Sequence, residues 1–128
     1  MSIALFLITH EGIASSLLDI GRSIIQQPVD NIAFTEVPMD AEIGTVIEKA
    51  RNRLSDLNLN DGILFISDIY GSTPANIARE LAAKYNTSLI SGVNLPMIIR
   101  LLNYRNEDRQ TLIEKALDGA RQGIQVNN

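Results

Sequence analysis

Two short runs in this chain, IALFLI at residues 3–8 and ILFIS at residues 63–67, are apolar on both faces that a β-strand would present. A strand with one wet face alternates apolar and polar residues. These do not, so each is expected to be a central strand of a sheet covered on both sides. Doubly covered sheets are built from parallel strands, and parallel strands need long crossovers, usually helices. The intervals between the strands must therefore be helical.

They are patterned accordingly. Ile13, Ala14, Leu17, Leu18, Gly21, Ile24 and Ile25 follow helical spacing, and Pro28 closes that segment. NIAFTEV (31–37) has the β-branched content of a second strand, followed by a loop at Pro38 with Asp40 as the expected N-cap. Ile43, Val46, Ile47, Ala50 and Leu54 trace a second helical stripe, and LNLNDG (57–62) is a loop. A third helix is expected to begin at Thr73-Pro74, with Thr73 capping, Pro74 at the first helical position, and Ile77, Ala78, Leu81 and Ala82 turned inward. TSLISGV (87–93) is the fourth strand, Pro96 opens a short helix, and Leu112, Ile113, Ala116, Leu117 and Ala120 define a last one ending near Gly123. IQV (124–126) is expected to be a final short strand. The expectation is one α/β domain over residues 1–128, with an open, mostly parallel sheet and helices on both faces, flavodoxin-like in outline. No linker, repeat or low-complexity stretch interrupts it.

Composition narrows the function. The net charge is −4 and no Lys/Arg cluster occurs, which argues against a general nucleic-acid binder. Cysteine is absent, removing disulfides, thiolate chemistry and Cys-ligated metals. The run at 3–8 lacks a basic segment before it and is too short for a signal h-region, so no direct membrane insertion is expected, and cytoplasmic residence is.

In open parallel sheets the ligand crevice lies beyond the carboxyl ends of the strands, where successive crossovers leave in opposite directions. If the strand order is 2-1-3-4, an order assumed here and not read from the residues, the first and third strands are neighbours and His10 faces Asp68 across the crevice. His10 is the chain's single histidine. A carboxylate beside an imidazole fixes its tautomer and leaves the other ring nitrogen free to attack an electrophile. The loop DIYGSTPAN (68–76) adds amides and hydroxyls at a helix N-terminus, where an anion such as a phosphoryl group is favoured. Taken singly, a strand-end histidine, a turn aspartate and a Thr-Pro helix start are all ordinary; their conjunction points to chemistry. Glu107, Asp108 and Arg109 look like a solvated surface, and Met39 and Met97 like packing residues.

IALFLITHEGIASSLL, GILFISDIYGSTPANIA (62–78) and SGVNLPMII (91–99) together resemble the mannose-family enzyme IIA domain of the phosphoenolpyruvate-dependent sugar phosphotransferase system. The resemblance covers nearly the whole chain. It implies a phosphocarrier in which His10 accepts a phosphoryl group from phospho-HPr and passes it to a IIB component, here on a separate chain, for sugar uptake. By the same resemblance Asp68 assists the histidine, Gly71, Ser72 and Thr73 bind phosphate, and no metal or other cofactor takes part. It also implies an antiparallel fifth strand, supplied by residues 124–126 and exchanged across a homodimer. Two departures stand out. The residue after the histidine is commonly small in relatives, whereas Glu11 puts a negative charge near the phosphoryl position unless it points away. Ser72 replaces a second loop glycine, where a positive φ would be less comfortable.

Rival readings keep the fold. A phosphoryl donor to a dihydroxyacetone kinase, or a regulatory reporter without transport, would use the same histidine. A response-regulator receiver would need an acidic cluster after the first strand and a lysine after its last, where this chain has His10-Glu11 and Gly92-Val93-Asn94. A flavin-binding module would want aromatic walls and a phosphate loop after the first strand, yet THEGIA holds one glycine and the chain has no tryptophan.

Overall fold

The structure is a computed structural model that describes residues 2–128. Strands and helices alternate: β1 (Ala4–His10), α1 (Ile13–Ile25), β2 (Ile32–Val37), α2 (Ile43–Leu54), β3 (Ile63–Ser67), α3 (Thr73–Lys84), β4 (Leu89–Ser91), α4 (Leu95–Asn103) and α5 (Arg109–Gln122). Among the described residues four strands form a parallel sheet in the order β2-β1-β3-β4. The chain steps outward from β1 to β2, then returns past β1 to β3. The switch point therefore lies between β1 and β3, as expected.

The doubly apolar strands divide their side chains between two cores. Leu5, Leu7, Leu64 and Ile66 point to the side covered by α1, α4 and α5. Ala4, Phe6, Ile8 and Phe65 point to the side covered by α2 and α3. Strand side chains alternate, so a run with no polar residue is what two buried faces require. Gly21 belongs to the α1 stripe for a steric reason: a Cβ there would lie 2.7 Å from Ile98 Cγ2, so α1 meets α4 backbone to side chain.

Several expectations are corrected. Ser72, not Thr73, is the N-cap of α3, which moves Pro74 to the second helical position. Asp40 does not cap α2, whose N-cap position is Glu42 with no side-chain bond. Ile13, Ile24 and Ile43 obey helical spacing yet lie 40%, 56% and 53% exposed, on the borders of their stripes. The fourth strand is only Leu89–Ser91: Gly92 turns at φ +91°, and the Gly92 and Val93 amides both converge on the Ser67 carbonyl, ending the ladder. The antiparallel fifth strand is not formed. The Ile124 amide donates to the Arg121 carbonyl and the Gln125 side chain to the Gln122 carbonyl, so the tail folds onto the end of α5 instead of a sheet edge. No helix of the described residues is long and apolar enough to cross a membrane.

Candidate functional site

His10 is the last residue of β1, and Asp68 follows the last residue of β3. Because Ile8 pairs with Ser67 in a parallel register, the two chain ends leave the sheet side by side. Asp68 Oδ2 then accepts twice from one residue: from the His10 amide at 2.9 Å and from ring Nδ1 at 2.8 Å. Its other oxygen accepts from the Ile69 amide at 3.0 Å and the Ser67 hydroxyl at 3.4 Å. The Asp68 side chain is 9% exposed and that of His10 32%. Burial alone would push the Asp68 carboxyl up, but the hydrogen bonds from the His10 amide and ring outweigh it and hold the carboxyl below its ordinary value.

That ionisation settles the tautomer. A carboxylate has no proton to give, so the 2.8 Å bond requires the proton on Nδ1. In the neutral ring Nε2 then carries the lone pair, and it has no hydrogen-bond partner among the described residues. His10 continues the alternation of Ala4, Phe6 and Ile8, so its ring sits on the α2/α3 side. There it meets a cleft of about 180 Å³ walled by the segment from Val37 to Ile43 and by Thr73 and Pro74. Glu11 is exposed and is not among the residues that wall this cleft.

The loop after Asp68 sorts its donors. Gly71 takes the left-handed conformation, φ +81°, and Ser72 has φ −77°, so serine sits there without strain. The Ser72 amide and hydroxyl both donate to the Ile69 carbonyl, at 3.2 and 2.7 Å, and its oxygen accepts from the Ala75 amide at 3.4 Å. Ser72 thus closes the turn and caps α3. The Gly71 amide and the Thr73 amide and hydroxyl have no intramolecular acceptor among the described residues. Three donors therefore remain at the N-terminus of α3, and Thr73 lines the His10 cleft.

The N-terminus of α1, which begins just after His10, already holds a carboxylate of the chain's own. Gly12 at its N-cap offers no side chain. Thr9 Oγ1 accepts from the Ala14 amide at 3.1 Å, and Glu36 Oε2 accepts from the Ser15 amide at 2.9 Å and the Ser15 hydroxyl at 2.7 Å. Burial would raise the Glu36 carboxyl, but the bonds from Ser15 and the Gly12 amide bring it below its ordinary value. Sequence reasoning missed Glu36. The available signal was indirect: a helix with glycine at its N-cap has no side chain at that position to take its first amides, which must be met from other residues. Asn94 in SGVNLPMII proves architectural, capping α4 through the Met97 amide at 3.0 Å and donating to the Ala120 carbonyl of α5 at 3.1 Å.

The family model EIIA-man, described as PTS system fructose IIA component, matches residues 4–117. The PTS system mannose-specific EIIAB component of Escherichia coli (strain K12) is 29% identical over 129 residues, covering 98% of this chain and 40% of that protein. The PTS system fructose-specific EIIA component of Bacillus subtilis (strain 168) is 36% identical over 64 residues, 49% of this chain and 44% of that protein. The chain thus spans less than half the length of the Escherichia coli relative, and the segment matched to the Bacillus subtilis protein covers less than half of either chain. Among solved structures, the mannose/sorbose specific IIA subunit from Enterococcus faecalis superposes with a TM-score of 0.87 at 20% identity, covering 100% of this chain and 96% of that one.

Proposed function

We propose, from the premise that the chain belongs to the EIIA-man family of PTS system IIA components, that it is a phosphocarrier charged on His10. The observation that carries this reading is the 2.8 Å contact between Nδ1 and an ionised Asp68, which leaves Nε2 as the nucleophile over an open cleft. In the charging step Nε2 attacks the phosphorus of phospho-HPr in line. A P–Nε2 bond forms as the donor's P–N bond breaks, and the Nδ1 proton stays on the ring, held by Asp68. The Gly71 and Thr73 amides and the Thr73 hydroxyl bind the phosphoryl oxygens, while Ser72 shapes the turn that presents them. The scheme uses no cofactor.

The rim supports a protein, not a small molecule, as donor and acceptor. Met39 on the cleft wall and Ile69 and Tyr70 in the loop that follows Asp68 stand 92%, 58% and 78% exposed, large apolar side chains that a protein partner would cover. The acceptor in this reading is a IIB component serving sugar uptake, and the carrier works in the cytoplasm. A homodimer belongs to the same reading, supported by the exposed Ile124 and Val126 that a second copy would cover. The test is direct: phosphoenolpyruvate, enzyme I and HPr should label the protein once per chain, and label surviving in His10→Ala would refute the assignment. Offering the labelled protein a IIB component and a dihydroxyacetone kinase side by side then identifies the acceptor.

A further inference from the structure

A second and larger cleft lies away from His10. A groove of about 510 Å³ runs along the outer edge of β2, floored by residues 31–34, with Arg22 of α1 on one wall and Arg53 of α2 and Asp56, just after that helix, on the other. Among the described residues β2 pairs only with β1, which leaves its far edge open. In a parallel ladder each residue turns its N–H and C=O the same way. The Asn31 carbonyl accepts from the Leu5 amide, so Ala33 and Thr35 also face β1, and Ile32 and Phe34 present their backbone groups to the groove. Phe34 packs against the core on the α1 side, while α2 lies on the opposite side. Yet Arg53 Cζ stands 5.5 Å from the Phe34 ring centroid, so the Arg53 side chain reaches across the open edge. Neither Arg22 nor Arg53 has a carboxylate within 4.0 Å among the described residues, although the chain holds 15 acidic side chains against 11 basic ones.

We propose that this edge binds an extended acidic segment of a partner protein as an added strand. The backbone groups of Ile32 and Phe34 supply the pairing. Alternate side chains of the added strand fall toward α1 and α2, where Arg22 and Arg53 stand, so acidic residues at adjacent positions meet both. Arg53 sorts the occupants. An uncharged strand must lift it from Phe34 with nothing in exchange, a basic strand is repelled, and an acidic strand gives the displaced guanidinium a carboxylate. This makes the edge closed to indiscriminate sheet extension and open to one chemical class.

The 128-residue chain would be titrated with the blocked heptapeptide VEEVEEV, with its lysine counterpart VKKVKKV, with PEEPEEP, which keeps the charge but cannot pair as a strand, and with inorganic phosphate. The glutamate peptide should bind and slow hydrogen exchange at the Ile32 and Phe34 amides, and the double variant R22A/R53A should weaken it about tenfold. Phosphoryl labelling at His10 should be retained in that variant, which confirms its fold and separates this proposal from the phosphocarrier reading. Equal binding of the lysine or proline peptide, unchanged exchange at Ile32 and Phe34, or displacement of the peptide by phosphate alone would each overturn it.

Discussion

The N-termini of α1 and α3 both begin just beyond the carboxyl end of a central strand, and both carry the same partial positive charge. They differ in who has claimed it. At α1, Thr9 and Glu36 take the amides of Ala14 and Ser15. At α3, Ser72 takes the Ala75 amide, Pro74 has no amide to offer, and Gly71 and Thr73 stay open. Alternation in the strands explains the division. Thr9 lies on the α1 face of β1, one residue before the ring that turns the other way, and Glu36 shares the face of Ile32 and Phe34 on β2. A fold that supplies two anion-accepting helix ends near one histidine keeps a single one available by bringing its own carboxylate to the other.

That contrast can be broken at graded cost. Asp68→Asn should slow labelling from phospho-HPr about 100-fold with the fold intact, because an amide no longer holds the ring tautomer; an unchanged rate would show that the carboxylate does not matter to the open end. Thr73→Val should slow labelling about tenfold, the worth of one hydrogen bond to a charged group, measured by the same time course. Glu36→Ala should leave labelling unchanged and lower stability by about 1 kcal/mol, as loss of a helix cap does, read from urea unfolding. Should labelling collapse instead, the α1 end would be part of the site.

A pH series sharpens the same point. Glu36 and Asp68 both have folded values below the ordinary 4.5 and 3.8. Their contribution to stability is therefore complete above those ordinary values and is lost as pH falls through the lowered ones. Urea midpoints should drop on acidification through that window, and the drop should be smaller in Glu36→Ala.

The parallel sheet, the helical intervals and the placing of His10 and Asp68 at strand ends were legible because each rests on a strong local pattern: unbroken apolar runs and helical periodicity; the order 2-1-3-4 that brings those two ends together is supplied by no local pattern and had to be assumed. What escaped depends on contacts between distant segments. Glu36 caps a helix 21 residues away, and no window around either shows it. The segment around Glu107 to Arg109 looked like plain solvated surface, yet Asp108 caps α5 by accepting from the Thr111 amide at 2.8 Å. Ser72 and Thr73 were misordered because both can cap, and the chain's geometry at φ −77° decides between them. The tail was patterned as a strand, but patterning says nothing about whether an edge lies within its reach.

Arg105, almost wholly buried, donates from Nε to the Ile3 carbonyl at 2.8 Å and from its terminal nitrogen to the Asn31 carbonyl at 3.2 Å. The first of these bonds joins residues 102 positions apart. During synthesis, then, the opening strands emerge long before the guanidinium that finishes their amino-terminal end, and water must hold those carbonyls in the meantime. The bottom of the sheet is sealed late, by a residue from the last quarter of the chain.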